Sequence, residues 1–206
     1  MVGASEEVEV TTGITVTVPV TRMYAKLKVK VEMLKAEMKL NNVNVRQIPN
    51  ICRIQTFPGE GNGEPMNAVP FPDGTTFSSI AFAASDLEKS EDKEWAVFYV
   101  PENLQGEIEN QGGNKSDAAP TNALVVDVTA EIGGEKYLYA AYPGGNSLNN
   151  FNIQRNQVYR MTLTITGEKG QNNPSSNCFV VKPNGFLSFE PYYRVETGGG
   201  YNFADY

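Results

Sequence analysis

Among the residues able to do chemistry, pairs of acids come first: Glu107 with Glu109, and Asp127 with Glu131. Two carboxylates at a set separation are all that most glycosidases need. At these short spacings on a strand, however, such residues merely share a solvated face, and no catalysis is expected of them. The stretch FPDGTTF has an Asp before a Gly but lacks the alternating acids of a calcium loop, so it reads as a turn. NQGGNKS and ETGGGYNF contain glycines but no strand–glycine–helix order that would cradle a phosphate. The chain of 206 residues has no histidine. That removes the commonest general base and metal ligand, together with every Ser-His or Cys-His nucleophile. Cys52 and Cys178 are too few for a disulfide framework and too isolated for a zinc site. They read as buried, inert thiols, with pairing between them left open. No metal, cofactor or catalytic residue is expected, and the chain is not read as an enzyme.

Two further groups can bind rather than react. The aromatics Trp95, Phe98, Tyr99, Tyr137, Tyr139 and Tyr142 can line a sugar platform, but strand parity sends half of them into a core. In FNIQRNQVYRMTLTITG, residues 151–167, the amides Asn152, Gln154, Asn156 and Gln157 surround Arg155 at the mouth of an alternating stretch. Amides both donate and accept, and an arginine offers five donors in a fixed fork. Such a group satisfies backbone where a loop enters a sheet, so Asn152, Arg155 and Asn156 are expected to bond to main chain. The triplet NKS at 114–116 matches a glycosylation acceptor, a pattern too short to carry a conclusion.

The elements that must position these residues read as strands. AKLKVKVEM places Ala25, Leu27, Val29, Val31 and Met33 on one face and Lys26, Lys28, Lys30 and Glu32 on the other. The lysines read as a solvated sheet face. ITVTVPV alternates in the same way, and Pro19, which cannot donate to a ladder, makes it an edge. A weaker strand surrounds Val43 and Val45. WAVFYV is an unbroken apolar run, the pattern of a strand covered on both sides. In ALVVDVTAEI, Leu124, Val126, Val128, Ala130 and Ile132 alternate with polar or smaller neighbours. Gly133 and Gly134 then lead into EKYLYAAY, a hairpin signal. Tyr159, Met161, Leu163 and Ile165 face inward on the stretch after the amides. SDLEKSEDKEW offers at most one helical turn, with Ser85 or Asp86 as cap. Short strands, glycine-rich turns and no long helix argue an all-β sandwich.

The net charge of −7 and sequence pI near 4.8 argue against nucleic acid, which needs a basic face. MVGASEEVEV has no basic stretch followed by an apolar one, so it does not read as a secretory signal. No segment approaches the roughly 20 apolar residues that span a bilayer.

Three ordered stretches resemble the fimbrillins, the lipoprotein-derived pilus and surface subunits of Bacteroidales-type bacteria. VPVTRMYAKLKVKV is similar to their Pro-containing strand and Arg leading to an Ala-Lys strand, here Pro19, Arg22, Ala25 and Lys26. FYVPENLQG is similar to the opening of their second half, through Tyr99, Pro101, Glu102, Asn103 and Gly106. NFNIQRNQVYRMTLTITG is similar to their Asn-hydrophobic, Arg-Asn, Tyr strand, through Asn152, Arg155, Asn156, Tyr159 and Gly167. The resemblance implies two transthyretin-like β-sandwich lobes in tandem. The first spans 1–93 and is incomplete at its start, the second spans 94–170, and 171–206 is an extra strand or the opening of a further module. It also implies a lipoprotein displayed at the cell surface, on the outer membrane or fimbrium, in an assembly joined by strand exchange. In such an assembly a trypsin-like protease removes an N-terminal strand and a neighbour's strand fills the groove. Arg22 lies inside the strand pattern and is not read as that protease's site. The implied partners are other fimbrillin-type subunits, with host or bacterial surface glycans or proteins as adhesion targets. The alternative reading is a surface carbohydrate-binding sandwich.

Overall fold

The computed structural model describes residues 20–54, 67–87, 94–109 and 114–167, with short isolated stretches before residue 20 and backbone alone at 20–21, 176–184, 188–196 and 200–202. The strands are β1 (Val2–Gly3), β2 (Val20–Thr21), β3 (Tyr24–Met33), β4 (Lys39–Pro49), β5 (Phe77–Ala83), β6 (Ala96–Pro101), β7 (Val125–Ile132), β8 (Glu135–Ala141), β9 (Val158–Ile165), β10 (Ser176–Asn184), β11 (Ser188–Glu196) and β12 (Gly200–Asn202). Helix α1 is one turn, Ala84–Leu87, and a 3-10 turn spans Lys115–Ala118. The small β1–β2 pair stands apart from two larger sheets, one in the order β12-β11-β10-β9-β3-β6 and the other β5-β4-β7-β8. Each layer buries one face against the other, which makes the all-β sandwich that the alternating stretches predict.

Why these strands sit where they do follows from their period of two. Along β3, Ala25, Leu27 and Val29 are at most 1% exposed while Lys26, Lys28 and Lys30 lie on the outer face. Along β9 the alternation runs without a break, with Tyr159, Met161, Leu163 and Ile165 buried and the residues between them half-exposed. β9 lies parallel to β3, from Lys26 opposite Val158 to Met33 opposite Ile165. From the second sheet, Val43, Val45, Val126, Val128, Ala130 and Tyr139 meet these side chains in one core cluster. Burying each aliphatic side chain of this size contributes about 1.5–3 kcal/mol. The β7–β8 hairpin turns on Gly133 and Gly134 at φ of 60° and 84°. Both central residues of such a tight turn need positive φ, which glycine adopts without a steric penalty.

Several expectations change. WAVFYV is not covered on both sides: β6 is the end strand of its sheet, with Ala96, Phe98 and Val100 in the core but Tyr99 62% exposed. Beside it, lysine ammonium groups stand over aromatic rings on the outer face; Lys28 Nζ is 5.2 Å from the Trp95 ring centroid. Each sheet draws strands from both sides of residue 93, since β3 pairs with β6 and β9, and β4 pairs with β7. The described strands on the two sides of residue 93 thus share both sheets. Backbone at 176–202 continues the larger sheet beyond β9 as β10 to β12. Most of ITVTVPV lies outside the described residues; of the rest, Val16 is 43% exposed and belongs to no strand. Arg22 is exposed in the two-residue break between β2 and β3 rather than inside a strand.

Candidate functional site

The two motif-bearing segments that follow β6 and precede β9 meet at one end of the sandwich. Asn103 and Ile153 bridge them, each backbone N–H donating to the other's carbonyl at 2.9 and 2.8 Å. Phe151 N donates to Gly106 O at 3.0 Å, and Gly106 N donates to Asn152 Oδ1 at 2.6 Å. Gly106, at φ 81°, lies so close to residues 67–68 that an added Cβ would stand 2.6 Å from Ala68 N. Asn103 Nδ2 donates to the carbonyls of Gln47 and Asn122, at 3.2 and 2.8 Å. Tyr159 Oη accepts from Gln154 N at 2.8 Å and donates to Asn152 O at 3.2 Å.

Arg155 is the centre of this network. Its Nε and Nη2 donate to the two carboxylate oxygens of Glu102, both at 2.9 Å, and Nη1 donates to Ile54 O at 3.2 Å. The side chains are 1% and 4% exposed. A two-pronged, charge-assisted pair is the arrangement that makes burial of both charges tolerable. Arg155 thus bonds mainly to a carboxylate, with one carbonyl besides, where main-chain partners alone were expected. Asn156 follows at φ 59°, its N–H donating to Tyr24 O at 3.1 Å, and Pro101 sits opposite Tyr24 at the end of β6. Pro101, Glu102, Asn103, Asn152, Arg155, Asn156 and Tyr159 are therefore brought together around one loop junction. Their polar groups are largely spent on each other and on backbone, which shapes the junction.

Other members of the site carried no period to reveal them. Lys115 is 2% exposed, donates from Nζ to Asn146 O and Asn150 O at 2.7 Å each, and lies 4.8 Å from the Phe151 ring centroid. It is the middle residue of the NKS triplet. Arg46 is turned onto Asp127 beside a bulge in β4 where Gln47 takes φ 60°; a bulge re-aims side chains in this way. Cys52 is free and half-buried beside the Arg155–Glu102 pair. Burial pushes its thiol pKa up, Arg155 opposes that, and Glu102 adds to it. The side chain of Cys178 lies outside the described residues.

The acids considered first do not converge. Glu107 and Glu109 are exposed, whereas Asp127 is buried against Arg46. Among the described residues no group of three or more His, Cys, Asp or Glu side chains is placed to hold a metal ion. The six aromatics do not form one platform either: Phe98 and Tyr139 are core residues, while Tyr142 packs edge-on to Phe151 at 6.0 Å.

With the sandwich and its junction defined, the class of protein is an all-β, two-sheet domain built around a buried polar loop clasp. A family model described as a domain of unknown function, DUF4906, matches residues 98–163, from β6 through most of β9. Solved structures similar to the chain include fimbrial and candidate cell adhesion proteins of Bacteroidales. The fimbrial tip protein Mfa3 of Porphyromonas gingivalis, truncated at its C-terminus, is 17% identical with a TM-score of 0.43, over 72% of this chain and 49% of that one. A candidate cell adhesion protein of Parabacteroides distasonis is 15% identical with a TM-score of 0.44, over 92% of this chain and 63% of that one. Another from the same organism is 16% identical with a TM-score of 0.41, over 89% and 51%. The chain thus spans between 49% and 63% of the length of these proteins. No curated protein matches the sequence.

Proposed function

We propose that the chain is a non-catalytic cell-surface protein of fimbrillin type, a structural or adhesive component of a fimbrial assembly joined by strand addition. The observation that carries this reading is the edge of β6. Among the described residues β6 pairs on one side only, with β3. Its outward residues are Val97, half-buried, and Tyr99, 62% exposed. Soluble sheets guard an end strand with charge, bulges or proline; β6 has no charge and keeps its one proline for its last position. Such an edge offers main-chain donors and acceptors to an incoming strand, while the sheet face beside it receives alternate side chains. The loop clasp supports a structural role, because its charged groups are consumed internally. The fimbrial and adhesion proteins named above are of the same kind, but likeness below a TM-score of 0.5 does not carry the reading.

Tagged protein produced in a fimbriated Bacteroidales host is expected at the cell surface, open to added protease, and in the fimbrial fraction. Val97→Glu places a charge on the β6 edge opposite Lys28. It is expected to fold and to leave the fimbrial fraction. Protein confined to the cell interior overturns the surface reading, and Val97→Glu assembling like the parent overturns strand addition at β6.

A further inference from the structure

We propose that the groove at the head of β3 binds a sugar ring bearing a carboxylate. The groove has a volume of about 210 Å³ and is lined by Arg22, Tyr24, Lys26, Tyr99, Asn156, Gln157 and Val158. Three adjacent strands build it in register: Tyr99 of β6, Lys26 of β3 and Val158 of β9 stand side by side on the outer face. Tyr24, one step along β3, is 49% exposed and Tyr99 is 62% exposed. The floor is fixed by main-chain bonds, from Lys26 N to Gln157 O at 2.9 Å and from Asn156 N to Tyr24 O at 3.1 Å.

Two features of the lining select the ligand. Arg22 and Lys26 are cations in a chain whose net charge is −7, and no carboxylate lines the groove beside them. That charge pattern favours an anion, and an arginine fork suits a carboxylate. The two exposed tyrosine rings offer flat apolar faces of the kind that pack on the C–H face of a sugar. Lys26 Nζ stands 5.8 Å from the Tyr99 ring centroid, which ties the cation to the aromatic wall. The volume lies below the roughly 300–1,000 Å³ of sites for drug-sized molecules, which fits a single ring at the end or along the side of a glycan. Sialic acid and a uronic acid share this chemistry.

This site takes its setting from the adhesive reading above but is tested on the isolated chain, with no assembly or cell surface involved. The 206-residue chain is titrated, with amide shifts followed by NMR, against N-acetylneuraminic acid, glucuronic acid, glucose, acetate and a short Asp/Glu peptide. At least one acidic sugar is expected to shift the amides of residues 22–26, 99 and 156–158 saturably, with Kd of about 1 mM. Glucose and acetate are expected to bind at least about fivefold more weakly. The tighter of the two acidic sugars identifies the source. Tyr99→Ala and Lys26→Gln, both on the outer face, are each expected to weaken binding about fivefold with the melting temperature unchanged. Glucose or acetate binding as well as the acidic sugars, the peptide binding more tightly, or no saturable shift by about 20 mM overturns the proposal.

Discussion

Arg155 and Glu102 are the residues on which the loop clasp depends. Removing one partner of a buried pair strands the other charge away from water, which costs about 3–5 kcal/mol. Arg155→Ala is therefore expected to lower the denaturant midpoint sharply, whereas Arg155→Leu with Glu102→Leu together is expected to recover much of the loss. A single variant within about 1 kcal/mol of the parent contradicts this assignment. Cys52, beside the pair, has its pKa raised by burial. A thiol whose folded pKa exceeds its unfolded one contributes stability below the unfolded value and loses it as pH rises through the folded value. The same shift starves the surface of thiolate at neutral pH. Alkylation of Cys52 by iodoacetamide near pH 8 is expected to be slower in the folded protein than in denaturant, and equal rates would refute the burial. From the sequence, the amides around Arg155 were legible as loop architecture, because amides at a strand mouth have a physical job there. Glu102 was legible only as part of a resemblance, and its pairing with Arg155 was not legible at all. The two residues are far apart in the chain, and no local pattern encodes a contact at that separation.

At the scale of elements, β3 and β9 announced themselves because strict alternation maps onto one buried face. β6 misled for a physical reason. Its outward residues Val97 and Tyr99 are apolar although they lie at an open edge, and an apolar run cannot by itself distinguish that from burial on both sides. β4 was faint because its bulge at Arg46 and Gln47 breaks the period. Tyr24 and Lys115 were missed because a lone residue at a strand start or in a loop has no periodicity to betray it. The connection after β6 also depends on backbone proximity. Gly106 combines φ 81° with residues 67–68 lying against it. Gly106→Ala forces both a disfavoured dihedral and a main-chain displacement, so a loss of about 2 kcal/mol or more is expected in equilibrium unfolding. Gly134→Ala, in the open β7–β8 turn where nothing lies within 4 Å, bears only the dihedral cost and is expected to lose about 1 kcal/mol. Equal losses at the two positions would show that the close approach at Gly106 is unimportant.

For the whole molecule, the decisive property is that the sheets are woven from both halves of the chain. β3 supplies the surface on which β6 and β9 pair, and β4 does the same for β7. A chain divided at residue 93 would leave each half with unpaired strands and a core face open to water. Apolar area buried between halves is then part of every strand's stability, and loss of either half removes it. Guanidinium unfolding of residues 1–167 is accordingly expected to be one transition, with the fluorescence of Trp95, the sole tryptophan, and far-UV circular dichroism giving coincident midpoints. Residues 1–93 and 94–167 produced separately are expected to lack cooperative melting. Two resolved transitions, or a fragment that melts cooperatively alone, would favour tandem lobes instead. The same interleaving bears on strand addition. An incoming strand at β6 would extend the sheet that already holds β3 and β9, so its binding energy would be transmitted to the common core. Occupation of that edge is therefore expected to raise the single midpoint rather than create a second one, which differential scanning of an assembled and an unassembled sample distinguishes directly.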